Sequence, residues 1–148
     1  MQTRRANIND LSTLSELFDL YRQFYRQPEN VKASRAFVAQ RLENQDSVFI
    51  ITLDSSGQGA GFTQLYPSFS SVAMRKVWIL NDLYVHESFR KKGVATSLIE
   101  FARDHAIETD AMGIKLATAK NNFNAQALYE KLGFKKITEF DYYTLVAK

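Results

Sequence analysis

The chain has 148 residues, the commonest size of a single domain and enough to bury one sizeable core, and at 45% hydrophobic and 24% charged it is far from the composition of a disordered chain. Nineteen Lys and Arg against sixteen Asp and Glu leave a formal charge of +3, which helps an anionic ligand arrive but is too small to imply nucleic acid. The lack of cysteine excludes disulfides, a catalytic thiol and a Cys-ligated zinc, and it fits a reducing compartment, so one cytoplasmic domain over 1–148 is expected.

Arg4 and Arg5 lead into Asn7, Asn9 and Asp10 rather than an apolar run, so no secretory signal is expected, and no run approaches membrane-spanning length. Leu11, Leu14, Phe18, Tyr21 and Tyr25 recur at spacings of three and four after a capping Asn9 or Asp10, which predicts a first amphipathic helix ended by Pro28. Phe37, Val38 and Leu42 mark a second, fading at Asn44 to Asp46. Val48 to Leu53 and Phe62 to Tyr66 read as a hairpin closed through Asp54 to Gly57. Gly57, Gly59 and Gly61 do not open a helix, as a dinucleotide-binding loop must, so they are read as a turn. An aromatic loop, Tyr66 to Ser71, is expected to border a binding groove before the chain re-enters at Trp78.

Val77 to Val85 is the strongest strand pattern, yet it contains Asn81 and Asp82, and a buried strand seldom carries such residues without a task. A helix follows, with Val94, Leu98, Phe101, Ala102 and His105 on one stripe. Ile114 to Ala119 predicts a short strand, Ala125 to Leu132 a short helix closed by Gly133, and Phe134 to Glu139 and Tyr142 to Val146 two final strands. With the first residues pairing as an opening strand, the expectation is an α/β fold, one mixed sheet with helices on both faces.

Arg90-Lys91-Lys92-Gly93-Val94-Ala95 joins the strong strand to its helix. The unpaired amides of the first helical turn and the positive end of the helix dipole converge there, Gly93 admits a ligand close to the backbone, and three cations surround the spot. A pyrophosphate is the natural guest.

Leu80-Asn81-Asp82-Leu83-Tyr84-Val85 leading into that turn, together with Asn122, Ala125, Tyr129, Gly133 and Phe134 at the spacing Asn-x-x-Ala-x-x-x-Tyr-x-x-x-Gly-Phe, resembles the GNAT superfamily of N-acetyltransferases. The resemblance implies a twisted, mostly antiparallel sheet flanked by helices, with acetyl-CoA as acetyl donor. It implies that the Leu83 to Val85 segment, with Tyr84 between, pairs with the pantetheine arm, and that the turn from Arg90 through Lys91, Lys92, Gly93, Val94 and Ala95 to Thr96 holds the pyrophosphate. Asn122 and Ala125 would meet the cofactor from the other side, and the family's habit of pairing through the sheet edge or last strands implies a homodimer.

By the same resemblance Tyr129 lies beside the cofactor sulfur, and a phenol of pKa ~10 can share a proton with a departing thiolate of pKa ~8.5. An alkyl amine of pKa ~10.4 must lose a proton before it attacks, at a cost of about 4–5 kcal/mol at pH 7. Related diamine acetyltransferases carry Glu where this chain has Asn81, so Asp82 is the remaining candidate base, with a strand-bulge tether as its alternative role. His86, Glu87 and His105 show no metal-ligand pattern, and no metal is expected. The acceptor expected is a small-molecule amine such as a polyamine or amino acid. A protein lysine or N-terminus, or an acyl-CoA sensor without turnover, is the alternative.

Overall fold

In the computed structural model, which describes residues 1–148, the opening residues do pair: β1 (Gln2–Arg5) runs antiparallel to β2 (Val48–Leu53). Two helices, α1 (Leu11–Phe24) and α2 (Val31–Asn44), separate them, and β3 (Gly59–Ser70), β4 (Arg75–Val85), α3 (Val94–Glu108) and β5 (Ile114–Lys115) follow. The sheet order is β1-β2-β3-β4-β5, antiparallel except for the parallel β4–β5 pair. Residues 1–117 and 118–148 form two compact units, and α4 (Phe123–Lys131) belongs to the second.

In the first unit, Val48 to Thr52 are buried at every position, so β2 is covered on both faces. Phe49 and Ile51 join Leu14, Leu17, Phe18, Val38 and Phe62 in a core beneath α1 and α2, while the alternate side chains of β2 face the side on which α3 packs. Gly61 shows how close that packing is: a Cβ there would meet the Tyr84 carbonyl at 2.6 Å and Val94 Cγ1 at 3.1 Å.

Asp19 holds the end of α1 to the start of α2. It is 1% exposed and accepts from Arg22 Nη1 at 2.9 Å, Gln23 Nε2 at 2.9 Å, the Asn30 amide at 3.2 Å and Ser34 Oγ at 2.7 Å. Burial pushes its pKa up, but these bonds together outweigh burial and hold it below the usual carboxylate value. A second carboxylate, Asp10, is gripped by both terminal nitrogens of Arg4 at 2.8 Å and pins β1 to the turn before α1.

Several expectations are corrected. The segment 66–71 is mostly strand rather than loop: β3 continues to Ser70 and pairs with β4 down to Arg75. Pro67 is tolerated because β2 leaves β3 at the Val48–Leu65 pair, so the far end of β3 is an edge where no amide is needed on that side. The strand expected at 114–119 shrinks to Ile114–Lys115, and α1 stops at Phe24, four residues before Pro28. Gly59 and Gly61 lie inside β3, and only Gly57 serves the turn. No strand forms at 134–139 or 142–146. Alternation nominates a strand, but a ladder also needs a partner strand, and the unit 118–148 contains none, α4 being its one regular element.

His105 packs its ring 4.9 Å from Trp78, whose indole nitrogen donates to Thr109 Oγ1 at 2.9 Å, and its Nε2 is buried without a hydrogen-bond partner. Desolvation, with Arg5 and Lys76 adding to it and Glu108 opposing, lowers its pKa. The folded state therefore binds this proton less readily than the unfolded chain. The stability from a neutral His105 is fully present above the unfolded pKa of ~6.5 and is lost as pH falls through the lower folded value. Melting curves between pH 8 and 5 should show a smaller loss for His105→Gln than for the native chain; equal losses would mean His105 takes no part.

Candidate active site

The first unit's site is set by two irregularities in β4. Its pairing with β5 consists of Trp78↔Ile114 and Ile79↔Lys115 alone, so from Leu80 to Val85 the backbone meets no strand on that side. The other side stays laddered to β3 as far as Gly61↔Val85. Leu83, Tyr84 and Val85 therefore lie on an open edge. The second irregularity is a register shift between Gln64 and Leu65, which leaves Asn81 as the extra residue of a bulge between the pairs Gln64↔Asp82 and Leu65↔Leu80.

The bulge turns Asp82 inward, where it is 6% exposed. Its Oδ2 accepts from Gln64 Nε2 at 2.5 Å and its Oδ1 from Asn81 Nδ2 at 3.0 Å, while Gln64 Oε1 accepts in turn from Ser47 Oγ at 2.8 Å. Tyr21 on α1 belongs to the same cluster: burial first, then Asp82 through its charge and as a hydrogen-bond acceptor, pushes this phenol far above its usual range. Tyr66 is raised by burial and then by the same charge. All the donors to Asp82 are neutral, and no Lys or Arg forms an ion pair with it. Buried carboxylates are usually paired with a cation, and here neutral hydrogen bonds take that place.

At the end of β4 the chain makes one short 3-10 turn, Glu87–Phe89, before Gly93 opens α3 in the left-handed region at φ +81°. Gly93 has no side chain to cap the helix, and the first backbone bond of α3 is from the Ser97 amide to the Gly93 carbonyl at 3.0 Å. The amides of Val94, Ala95 and Thr96 precede that bond, and a Cβ on Gly93 would meet no atom within 4 Å. The helix end is thus open as well as positive, and an anion fits there. Lys92 lies over the Phe89 ring at 5.7 Å.

Arg90, which opens the turn, is exposed. Its Nε donates to the Val85 carbonyl at 3.2 Å, and its guanidinium carbon sits 5.9 Å from the Tyr84 ring and 6.0 Å from the Phe24 ring of α1.

In the second unit, Asn122 caps α4, its Oδ1 accepting from the Ala125 amide at 3.3 Å. The Phe134 amide donates to the Tyr129 carbonyl at 2.9 Å, the two rings meet edge to face at 5.7 Å, and Gly133 supplies the left-handed residue between them at φ +100°. The spacing Asn-x-x-Ala-x-x-x-Tyr-x-x-x-Gly-Phe is thereby explained as one local fold: a cap, a helix and a stop where two rings meet edge to face.

Tyr21, Gln64 and Ser47 were not singled out from the sequence. Gln64 was traceable, because a polar residue amid the apolar run Phe62 to Tyr66 repeats the anomaly of Asp82 in β4. Tyr21 looked like one more core position of an amphipathic helix.

The model of the Acetyltransferase (GNAT) family matches residues 14–134. The chain belongs to this family and is an acetyltransferase. It is 41% identical over 145 residues to "Uncharacterized N-acetyltransferase YhfO" of Bacillus subtilis (strain 168), covering 98% of this chain and 97% of that protein. It is 30% identical over 135 residues to a "Probable acetyltransferase" of Haemophilus influenzae, covering 91% of this chain and 90% of that protein. A crystal structure described as that of a probable acetyltransferase superposes with a TM-score of 0.94 at 40% identity, over 100% of this chain and 99% of that one. No helix is long and apolar enough to cross a membrane.

Proposed function

We propose that this acetyltransferase takes its acetyl group from acetyl-CoA and transfers it to a primary amine of a small molecule, such as a polyamine or an amino acid, by direct attack in a ternary complex. One observation carries the reading: the open edge of β4 from Leu80 to Val85 runs on to an uncapped helix end at Gly93. An extended pantetheine arm can add to that edge as a strand does, through the backbone at Leu83 to Val85. The pyrophosphate then meets the amides from Lys91 to Thr96, with Lys91 and Lys92 supplying charge.

Asp82, beside the open edge of β4, accepts the proton that the ammonium must shed. Tyr129 donates to the departing thiolate, a role that rests on the family pattern, as do those of Asn122 and Ala125. The family match spans both units, which supports one acetyltransferase domain. Exposed Phe140, Tyr142, Tyr143, Leu145 and Val146 in the last residues support a homodimer, and the absence of cysteine supports a cytoplasmic setting.

Calorimetric titration with acetyl-CoA, followed by a thiol-release screen over polyamines, amino acids and short peptides, tests the reading; light scattering on the same sample tests the pairing. Binding with amine-dependent release is expected, and no binding would overturn it. Gly93→Val should weaken acetyl-CoA binding, while Gly93→Asn, which tolerates the left-handed backbone, separates backbone strain from obstruction of the ligand. Undiminished affinity in both would place the phosphates elsewhere.

A further inference from the structure

We propose that Gln64 and Ser47 are positioning residues for the reaction: they hold the carboxylate of Asp82 so that Oδ1, and not Oδ2, takes the proton of the acceptor ammonium. The inference rests on the reading of Asp82 as the base and deepens it.

The three side chains form one buried chain from β4 through β3 to the entry of β2. An ionised carboxylate only accepts, so the group of Gln64 that lies 2.5 Å from Asp82 Oδ2 is its donor end, Nε2. The other end, Oε1, accepts from Ser47 Oγ at 2.8 Å. The Ser47 hydroxyl thereby fixes which way the amide points, since a flipped amide would set Oε1 against the carboxylate. Thr63, also buried, donates through Oγ1 to the Asp82 carbonyl at 2.7 Å, so β3 grips the backbone of Asp82 as well as its side chain.

The two oxygens of Asp82 are held unequally. Oδ2 meets Gln64 in the interior, where a proton on that oxygen would face the amide hydrogens of Nε2. Oδ1 accepts at 3.0 Å from Nδ2 of Asn81, which is exposed and is the extra residue of the bulge. The Asn81 side chain can turn outward and be satisfied by water, which leaves no buried polar group unpaired. Oδ1 is therefore the oxygen that an arriving ammonium can claim. One N–H bond of the ammonium breaks and an O–H bond forms at Oδ1. The electron pair stays on nitrogen as the lone pair that attacks the thioester, and Gln64 keeps its bond to Oδ2 throughout.

Amine-dependent thiol release is measured against pH for the native chain, Ser47→Ala, Gln64→Met and the double variant, with Tm and calorimetric acetyl-CoA affinity alongside. Gln64→Met keeps the length of the side chain and loses both polar ends. It should lower kcat by about tenfold or more and move the acidic limb of kcat/KM upward, because a carboxylate that loses a donor holds a proton more tightly. The titratable groups facing Asp82 are Tyr21 from α1 and Tyr66 from β3, whose phenols lie above their usual range and do not contribute to an acidic limb. Beyond Tyr66, Arg41 and Asp46 pair at 3.1 Å and are present in every variant. Ser47→Ala alone should lower kcat by about threefold or more, and it should add nothing to Gln64→Met, since it acts through the amide. Acetyl-CoA affinity should stay within about twofold in all of them. Asn81→Ala removes a side chain that the ammonium must displace, so it should lower the acceptor KM by about twofold or more and not kcat.

Native kcat and an unmoved acidic limb in the folded variants overturn the inference, whatever happens to Tm, as does an effect of Ser47→Ala that adds in full to that of Gln64→Met. If Gln64→Met does not fold, kcat of Ser47→Ala decides. A loss of kcat in Asn81→Ala as large as in Gln64→Met means that both oxygens are held alike and overturns the assignment to Oδ1. Asp82→Asn separates this inference from the reading beneath it. Native turnover and an intact acidic limb in Asp82→Asn remove Asp82 as the base and this inference with it, whereas a lost limb there beside unchanged Ser47 and Gln64 variants removes only this inference. Absence of thiol release with every amine removes the proposed reaction as a whole.

Discussion

If Tyr129 is the proposed proton donor, Tyr129→Phe should lower kcat by about a hundredfold or more, the usual weight of a positioned general acid, and leave the acetyl-CoA dissociation constant within about twofold, because that role uses the hydroxyl in the transition state. The variant keeps the ring that meets Phe134 at 5.7 Å, so the fold of α4 and its stop is preserved and the comparison isolates one oxygen. Single-turnover rates of thiol release read the effect directly. A phenol of pKa ~10 facing a thiol of ~8.5 transfers its proton only as negative charge builds on sulfur, so the loss should grow for donors whose thiols are more basic. Unchanged turnover would remove Tyr129 from the chemistry.

The largest stability effect is expected at Asp19. Asp19→Ala removes the acceptor shared by Arg22, Gln23, the Asn30 amide and Ser34 Oγ, and it leaves several donors unsatisfied in a site where the carboxylate was 1% exposed. Breaking a buried charge cluster of this kind costs about 3 kcal/mol or more, which at this chain length lowers Tm by roughly 10 °C. Because the folded pKa of Asp19 is depressed, its contribution is present above the unfolded value of ~3.9 and disappears as pH falls through the lower folded value. Thermal unfolding at neutral pH and again in acid checks both statements. A Tm shift below about 3 °C at neutral pH would mean that the corner between α1 and α2 is held by its apolar contacts instead.

Asp19 also bears on the reaction. It anchors the helix that carries Tyr21 to Asp82, so, on the role proposed for Asp82, Asp19→Asn, which keeps the shape and loses the charge, should raise the acceptor KM more than it changes acetyl-CoA affinity.

What the sequence determined by itself was local. The turn Arg90 to Ala95 and the pattern from Asn122 to Phe134 are contiguous stretches whose chemistry comes from a helix end or a helix cap, and such features are set by neighbours in the chain. They sufficed for the family and the mixed sheet, and the bare presence of Asp82 in a buried strand was signal enough to suspect a task. What only tertiary structure decided was which distant groups meet. Asp82 and Gln64 are 18 residues apart in the chain and Asp19 and Ser34 are 15 apart, and no periodicity names such partners. The approach of Phe24 on α1 to Arg90 is likewise a contact between distant elements that the turn alone does not name. The strands expected after Phe134 did not form for a related reason: alternation describes one side of a ladder, and the unit 118–148 holds no second strand to complete it.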